Sequence, residues 1–183
     1  MSKKHGETTI AIGDELNRSN DLAKLGYTVI YDHGRGGDKN VSVTSAWLGD
    51  RAEMDNRLSE IDVAIIERKT NKAILLMEIE ESGDNPKKII GAAMATLLAD
   101  GISSTIQPNL LIGDWTTLAI LAKGEGENHE KRIQSIEARI NKLACGEGFN
   151  MLKIGTIKLA LFQTQDDMKN TIMDLLKSHP PTD

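Results

Sequence analysis

Two apolar runs on either side of a short polar stretch constrain this chain most. Ile61-Asp-Val-Ala-Ile-Ile66 and Ala73-Ile-Leu-Leu-Met-Glu-Ile-Glu80 flank Arg68-Lys-Thr-Asn-Lys72. Runs this short and this rich in β-branched residues form strands, and Thr-Asn suits a hairpin tip. A hairpin centred on Thr70 sets Asp62 opposite Glu78 and Glu60 opposite Glu80. Directly opposed residues have Cβ atoms about 4.5–5.5 Å apart, and like charges there destabilise a sheet. A divalent cation removes that cost, because oxygen ligands at this separation can share one ion. The alternative is that the acids mark where the strands run out into water.

The second run is apolar on both faces until the acids begin. Ile74 and Leu76 alternate with Ala73, Leu75 and Met77. That pattern belongs to a central strand covered on two sides, as in α/β proteins.

The rest of the chain supplies the cover. Thr8 to Leu25 reads as a first helix, with Ile12, Leu16 and Leu22 on one side and Gly26 as the stop. Tyr27 to Tyr31 reads as a strand. The loop 33–39 is rich in glycine but lacks the Gly-Lys-Ser/Thr ending of a phosphate-binding loop. Val41 to Trp47 alternates like an edge strand or an extended arm, and Asp50 to Ser59 reads as a short helix or loop. Asn85-Pro86 opens a helix, Asn as N-cap and Pro at N1, and Gly101 closes it. Leu110–Ile112 and Thr117–Leu121 read as strands. Glu127 to Ala144 is helical, with a narrow stripe of Ile133, Ile136, Ile140 and Leu143 that suits core packing or a dimer seam. Thr156 to Gln163 is a strand. Thr164 then caps a last helix with Asp167 in the capping-box position, and 179–183 is a flexible tail.

These elements predict one α/β domain: a mixed central β-sheet flanked by helices. A strand–helix–strand crossover through Pro86–Asp100 favours parallel pairing. The 183 residues suffice for one domain with a core. No apolar run reaches the ~18 residues of a membrane span. A single cysteine, Cys145, excludes an intrachain disulfide, and Met1–His5 leads into no apolar signal core; both fit a cytoplasmic protein. A net charge of −5 and 3% aromatic content argue against a non-specific basic binder and against base-stacking platforms.

The element order and the acids resemble the PD-(D/E)XK nuclease superfamily, the restriction-endonuclease-like core. That family carries an Asp at the start of one strand and Glu-X-Lys in the next. Here Ile61-Asp62 corresponds to the first element and Glu78-Ile79-Glu80 to the second, with Pro86-Lys-Lys-Ile-Ile-Gly91 following. The resemblance spans residues 8–113 in element order, and its sharp motif only the hairpin. It departs at one point: Glu80 stands where the family has Lys.

The resemblance implies a metal-dependent phosphodiesterase acting on DNA. Its catalytic residues are Asp62, Glu78 and Glu80. Its metal ligands are Asp62, Glu78, the Ile79 carbonyl and Glu80, with Glu15 reaching in from the first helix. An all-oxygen set suits Mg²⁺ or Mn²⁺. Among the four histidines only His33 stands near this region. DNA contacts fall to Arg35, Lys39, Arg51, Arg57, Lys87 and Lys88, and Lys87 or Lys88 is placed to supply the missing cation. Double-strand cleavage by single sites implies a homodimer. The alternative is a catalytically inactive protein of this fold that serves as a DNA-binding or assembly module.

Overall fold

The structure is a computed structural model and describes residues 6–18, 20–32, 44–49, 53–83, 85–144 and 153–178. Its centre is the anticipated hairpin. Strand β4 (Val63–Glu67) turns at Arg68–Asn71 into β5 (Lys72–Glu80). Asn71 takes the left-handed conformation of the turn, with φ 59°. Asn tolerates that region better than other residues with a β-carbon.

Around the hairpin lies a five-stranded sheet of order β1-β4-β5-β7-β8, with β1 at Tyr27–Tyr31, β7 at Thr117–Lys123 and β8 at Thr156–Phe162. The first two pairings are antiparallel and the last two parallel, so the sheet is mixed as expected. β5 is the central strand. One face packs on α3 (Pro86–Leu97) and α4 (Glu127–Ala144) through Leu76, Ile89, Ala93, Leu118, Ile133 and Ile140. The other packs on α1 (Glu7–Arg18) and α5 (Gln165–Lys177) through Ile12, Leu16, Met77, Leu121, Met168 and Ile172. Apolar residues on both faces of β5 are thus the consequence of two helical layers.

A bulge interrupts the β4–β5 ladder. Ile65 pairs with Leu75 but Ile66 pairs with Ala73, so Ile74 is the extra residue. Ile74 and Leu75 then both meet the α1/α5 layer, while Leu76 faces α3. From Leu76 onward the alternation is regular, which puts Glu78 and Glu80 on the α3 side.

A second sheet of order β3-β2-β6 packs into the α3 side of the core, with β2 at Thr44–Trp47, β3 at Arg57–Ile61 and β6 at Gly101–Ser104. Three expectations are corrected here. The described part of the 41–47 segment, Thr44–Trp47, is no edge strand but the middle strand of this sheet. Gly101 does not close the crossover helix, which ends at Leu97; it opens β6. A β-carbon on Gly101 would lie 2.4 Å from the Trp47 ring, so glycine serves strand packing there. Leu110 and Leu111 form only isolated bridges, to Ile102 and Lys72, and the parallel partner of β5 is β7.

The N-terminal helix is also shorter than its apolar pattern predicts. Asn20, at φ 57°, ends it, and Asp21–Lys24 forms a separate turn of helix, α2, before Gly26 at φ 83°. The C-terminal elements follow the sequence closely. Thr164 accepts from the Asp167 N–H at 3.1 Å, and the Asp167 carboxylate accepts from the Thr164 N–H at 3.0 Å. On α4, Ile133 and Ile140 are buried and Ile136 packs against the same core, whereas Leu143 is exposed. Among the described residues, no helix is long and apolar enough to cross a membrane.

Candidate functional site

The register of the hairpin decides where its acids go. Val63 pairs with Met77, so one further step sets Asp62 opposite Glu78 on the same face. The next step does not occur. Ile61 leaves for the other sheet and pairs there with Thr44, and Glu60 pairs with Ser45. The expected Glu60–Glu80 opposition is therefore absent: Glu60 lies in β3 and pairs with Arg57 at 2.5 Å.

This divergence leaves the end of β5 without a strand on its β4 side. Asp62 fills the gap with its side chain: Oδ2 accepts the Ile79 N–H at 2.7 Å. In a strand, the N–H and C=O of one residue point to the same side. The Ile79 carbonyl therefore points toward the Asp62 side, where the sequence pattern expects a backbone ligand.

Glu78 has a strongly perturbed environment. Burial pushes its carboxyl well above the usual carboxylate range, and the charge of Asp62 pushes the same way. Only the Thr96 hydroxyl opposes them, donating to Oε1 at 3.4 Å. Thr96 is in turn 3.3 Å from the Ser59 hydroxyl. Among the described residues, no basic side chain offsets the Glu78 charge.

Glu80 is on the same face but turned away. It accepts from the Ser82 N–H at 2.8 Å, from the Ser82 hydroxyl, and from Lys88 Nζ at 3.3 Å. Burial alone would raise its pKa, but the Ser82 and Lys88 contacts outweigh it and the carboxyl is lowered. Glu15 is not brought to this place. Its carboxylate bonds Gln165 Nε2 at 2.6 Å and Lys169 Nζ at 2.7 Å, both on α5, and the Lys169 bond is the main cause that lowers its pKa.

One acid escaped the sequence reading. Asp32 follows β1, donates its N–H to the Asp62 carbonyl at 2.9 Å, and is 9% exposed. Its register sets Asp32, Asp62 and Glu78 in one row across three strands. The available signal was an acid directly after an apolar strand that ends next to the hairpin. The row is a backbone register rather than a closed ligand shell: among the described residues, no three His, Cys, Asp or Glu side chains converge.

Of the expected basic residues, Arg57 bonds Glu60, and Lys87 and Lys88 stand in the first turn of α3, where Asn85 accepts the Lys87 N–H at 3.0 Å. Arg35, Lys39, Arg51, His33 and Cys145 lie outside the described residues. A cleft of about 530 Å³ opens at the C-terminal ends of β5, β7 and β8, lined by Glu80, Ser82, Lys88, Lys123 and the first turns of α1 and α5. Ligands in α/β sheets bind outside the carboxyl ends of the strands.

The donors fit a hard cation in type. Asp62 and Glu78 are adjacent carboxylates, Glu78 has no compensating base among the described residues, and a backbone carbonyl faces the same side. No family model, curated protein or solved structure matches the chain.

Proposed function

We propose that this chain is a metal-dependent phosphodiesterase that cuts DNA, with Asp62 and Glu78 as the carboxylates that hold Mg²⁺ or Mn²⁺. One observation carries the reading: Asp62 and Glu78 stand side by side where β4 leaves the ladder, and Glu78 is a half-buried acid whose carboxyl is pushed up by desolvation and by Asp62, with no basic side chain among the described residues to offset it. Isolated buried charge is costly, and a hard cation is the partner that oxygen donors select. The resemblance of the hairpin to the PD-(D/E)XK motif supports the substrate class.

When bound, such an ion polarises a phosphoryl oxygen and lowers the pKa of a water. The residues of the chain then divide the work. Asp62 is oriented by the Ile79 N–H, which bonds its Oδ2. Glu78 accepts from Thr96, which fixes its rotamer. Glu80 takes a proton from water or holds a second ion once it turns from Ser82 and Lys88. Arg57, Lys87 and Lys88, with Arg35, Lys39 and Arg51, attract the phosphate backbone. A homodimer in the cytoplasm is part of this reading, because one site cuts one strand.

A second reading has its own observation. The carboxylate of Glu80 is held by Ser82 and Lys88 rather than directed at the pair. That favours a non-catalytic module of the same fold, which binds DNA or a protein partner without turnover. Plasmid nicking in Mg²⁺ or Mn²⁺ separates the two. The nuclease reading expects cleavage by wild type and loss of at least about a hundredfold in Asp62→Ala and Glu78→Ala. Equal cleavage by both variants overturns the site, and DNA binding without cleavage by wild type favours the module.

A further inference from the structure

Glu80 stands two residues after Glu78 on the same face of β5, about 6.6 Å further along. The two side chains project to the same side of the sheet. In the structure the Glu80 carboxylate is bonded to other groups. Ser82 donates to it from the turn that follows β5, and Lys88 donates from the first turn of α3 at 3.3 Å. Lys88 also donates to the Ser82 hydroxyl at 2.7 Å, so the three side chains form a closed set.

The set has an open side. The Lys88 side chain is 52% exposed and that of Glu80 is 19% exposed. Both line the cleft, with Lys123 on its wall. A phosphate entering there can reach the Lys88 ammonium through its exposed side. Phosphate oxygens compete well for an ammonium, which is the basis of backbone binding in general.

We propose that Lys88 and Ser82 hold Glu80 back from Asp62 and Glu78, and that a backbone phosphate in the cleft releases Glu80 by taking Lys88. Lys88 is thus a positioning residue that couples nucleic-acid binding to completion of the cation site. The inference rests on the cation-site reading given above. It makes affinity for the ion depend on a lysine that holds no metal, with a sign opposite to the loss of a ligand.

The test is Mn²⁺ binding to the full chain, followed by electron paramagnetic resonance of the free ion. Lys88→Met should bind Mn²⁺ about fivefold or more tighter than wild type. Lys88→Arg should restore the wild-type value. The gain must run through Glu80, so it should disappear in Lys88→Met/Glu80→Gln. A short phosphodiester duplex, added on ice, should tighten Mn²⁺ binding to wild type but not to Lys88→Met. A duplex with uncharged methylphosphonate linkages should tighten neither. Equal or weaker binding by Lys88→Met, a gain that survives Glu80→Gln, or equal tightening by both duplexes overturns the proposal. If wild type and Lys88→Met both fail to bind Mn²⁺, the cation-site reading falls and takes this inference with it. Wild-type binding with no Lys88 effect removes this inference alone.

Discussion

The Asp62 carboxylate accepts the Ile79 N–H at 2.7 Å, in the place where the next residue of β4 would have paired had Ile61 not left for the second sheet. Asp62 therefore has a structural duty as well as a candidate chemical one, and the two can be separated. Asp62→Ala removes the acceptor and leaves the Ile79 N–H to find another. Loss of a partner for a buried donor costs about 1–3 kcal/mol. Asp62→Asn keeps a side-chain oxygen and relieves repulsion with Glu78, so it should stay near wild-type stability while losing the cation. Urea unfolding of both variants checks this. Equal stability of the two contradicts the assigned hydrogen bond.

Glu78 makes a prediction about pH whose sign is the reverse of the usual carboxylate. Its folded-state pKa is raised, by burial first and by Asp62 second. The folded chain therefore holds the proton more tightly than the unfolded one. Stability from this group is fully present below the ordinary carboxylate pKa and is lost as pH rises through the raised value. In metal-free buffer, wild type should lose stability relative to Glu78→Gln across that window. Thr96→Val removes the one group that favours ionised Glu78 and should widen the difference. Urea midpoints at a series of pH values read the effect, and a pH-independent gap between wild type and Glu78→Gln contradicts it.

Most of the fold was legible because its signals are local. The apolar runs gave β4 and β5, Asn85-Pro86 gave the start of α3, and Thr164 with Asp167 gave the start of α5. What escaped was non-local. Nothing near Gly101 indicates that the Trp47 ring lies over it, so a strand opener read as a helix stop. Nothing in Ile61 indicates that it departs to pair with Thr44, so a hairpin continued to Glu60 runs two residues past the point where the strands part. The alignment of Asp62 with Glu78 expected from a turn centred on Thr70 is reached by another route: the turn pairs Glu67 with Lys72, and the bulge at Ile74 shifts the ladder by one residue. The contact of Lys88 with Glu80 was not legible, because it forms only after α3 folds back.

Packing of α1 on the sheet depends on a glycine. A β-carbon at Gly13 would lie 2.3 Å from the Tyr31 ring, which is 1% exposed, and the Tyr31 hydroxyl donates to Asp14 at 2.6 Å. The ring has no room to retreat. Gly13→Ala should destabilise by about 1–3 kcal/mol despite its better helix propensity. A thermal melt measures it, and an unchanged or raised midpoint contradicts the close approach.

DNA binding should be dominated by phosphate contacts. Arg57 is held by Glu60 at 2.5 Å. Glu60→Gln frees that guanidinium and should tighten binding, whereas Arg57→Gln should weaken it and reduce the log–log salt slope by about 1. Fluorescence anisotropy with a labelled duplex over a range of salt concentrations provides both quantities. A slope unchanged by Arg57→Gln takes that residue out of the interface.

The decisive measurement is a calorimetric Mg²⁺ titration of wild type, Asp62→Asn and Glu78→Gln, with each variant first shown to be folded. If the two carboxylates share one ion, wild type binds Mg²⁺ and each single substitution weakens binding at least about tenfold. If all three chains bind alike, or none binds, the neighbouring acids are not a cation site.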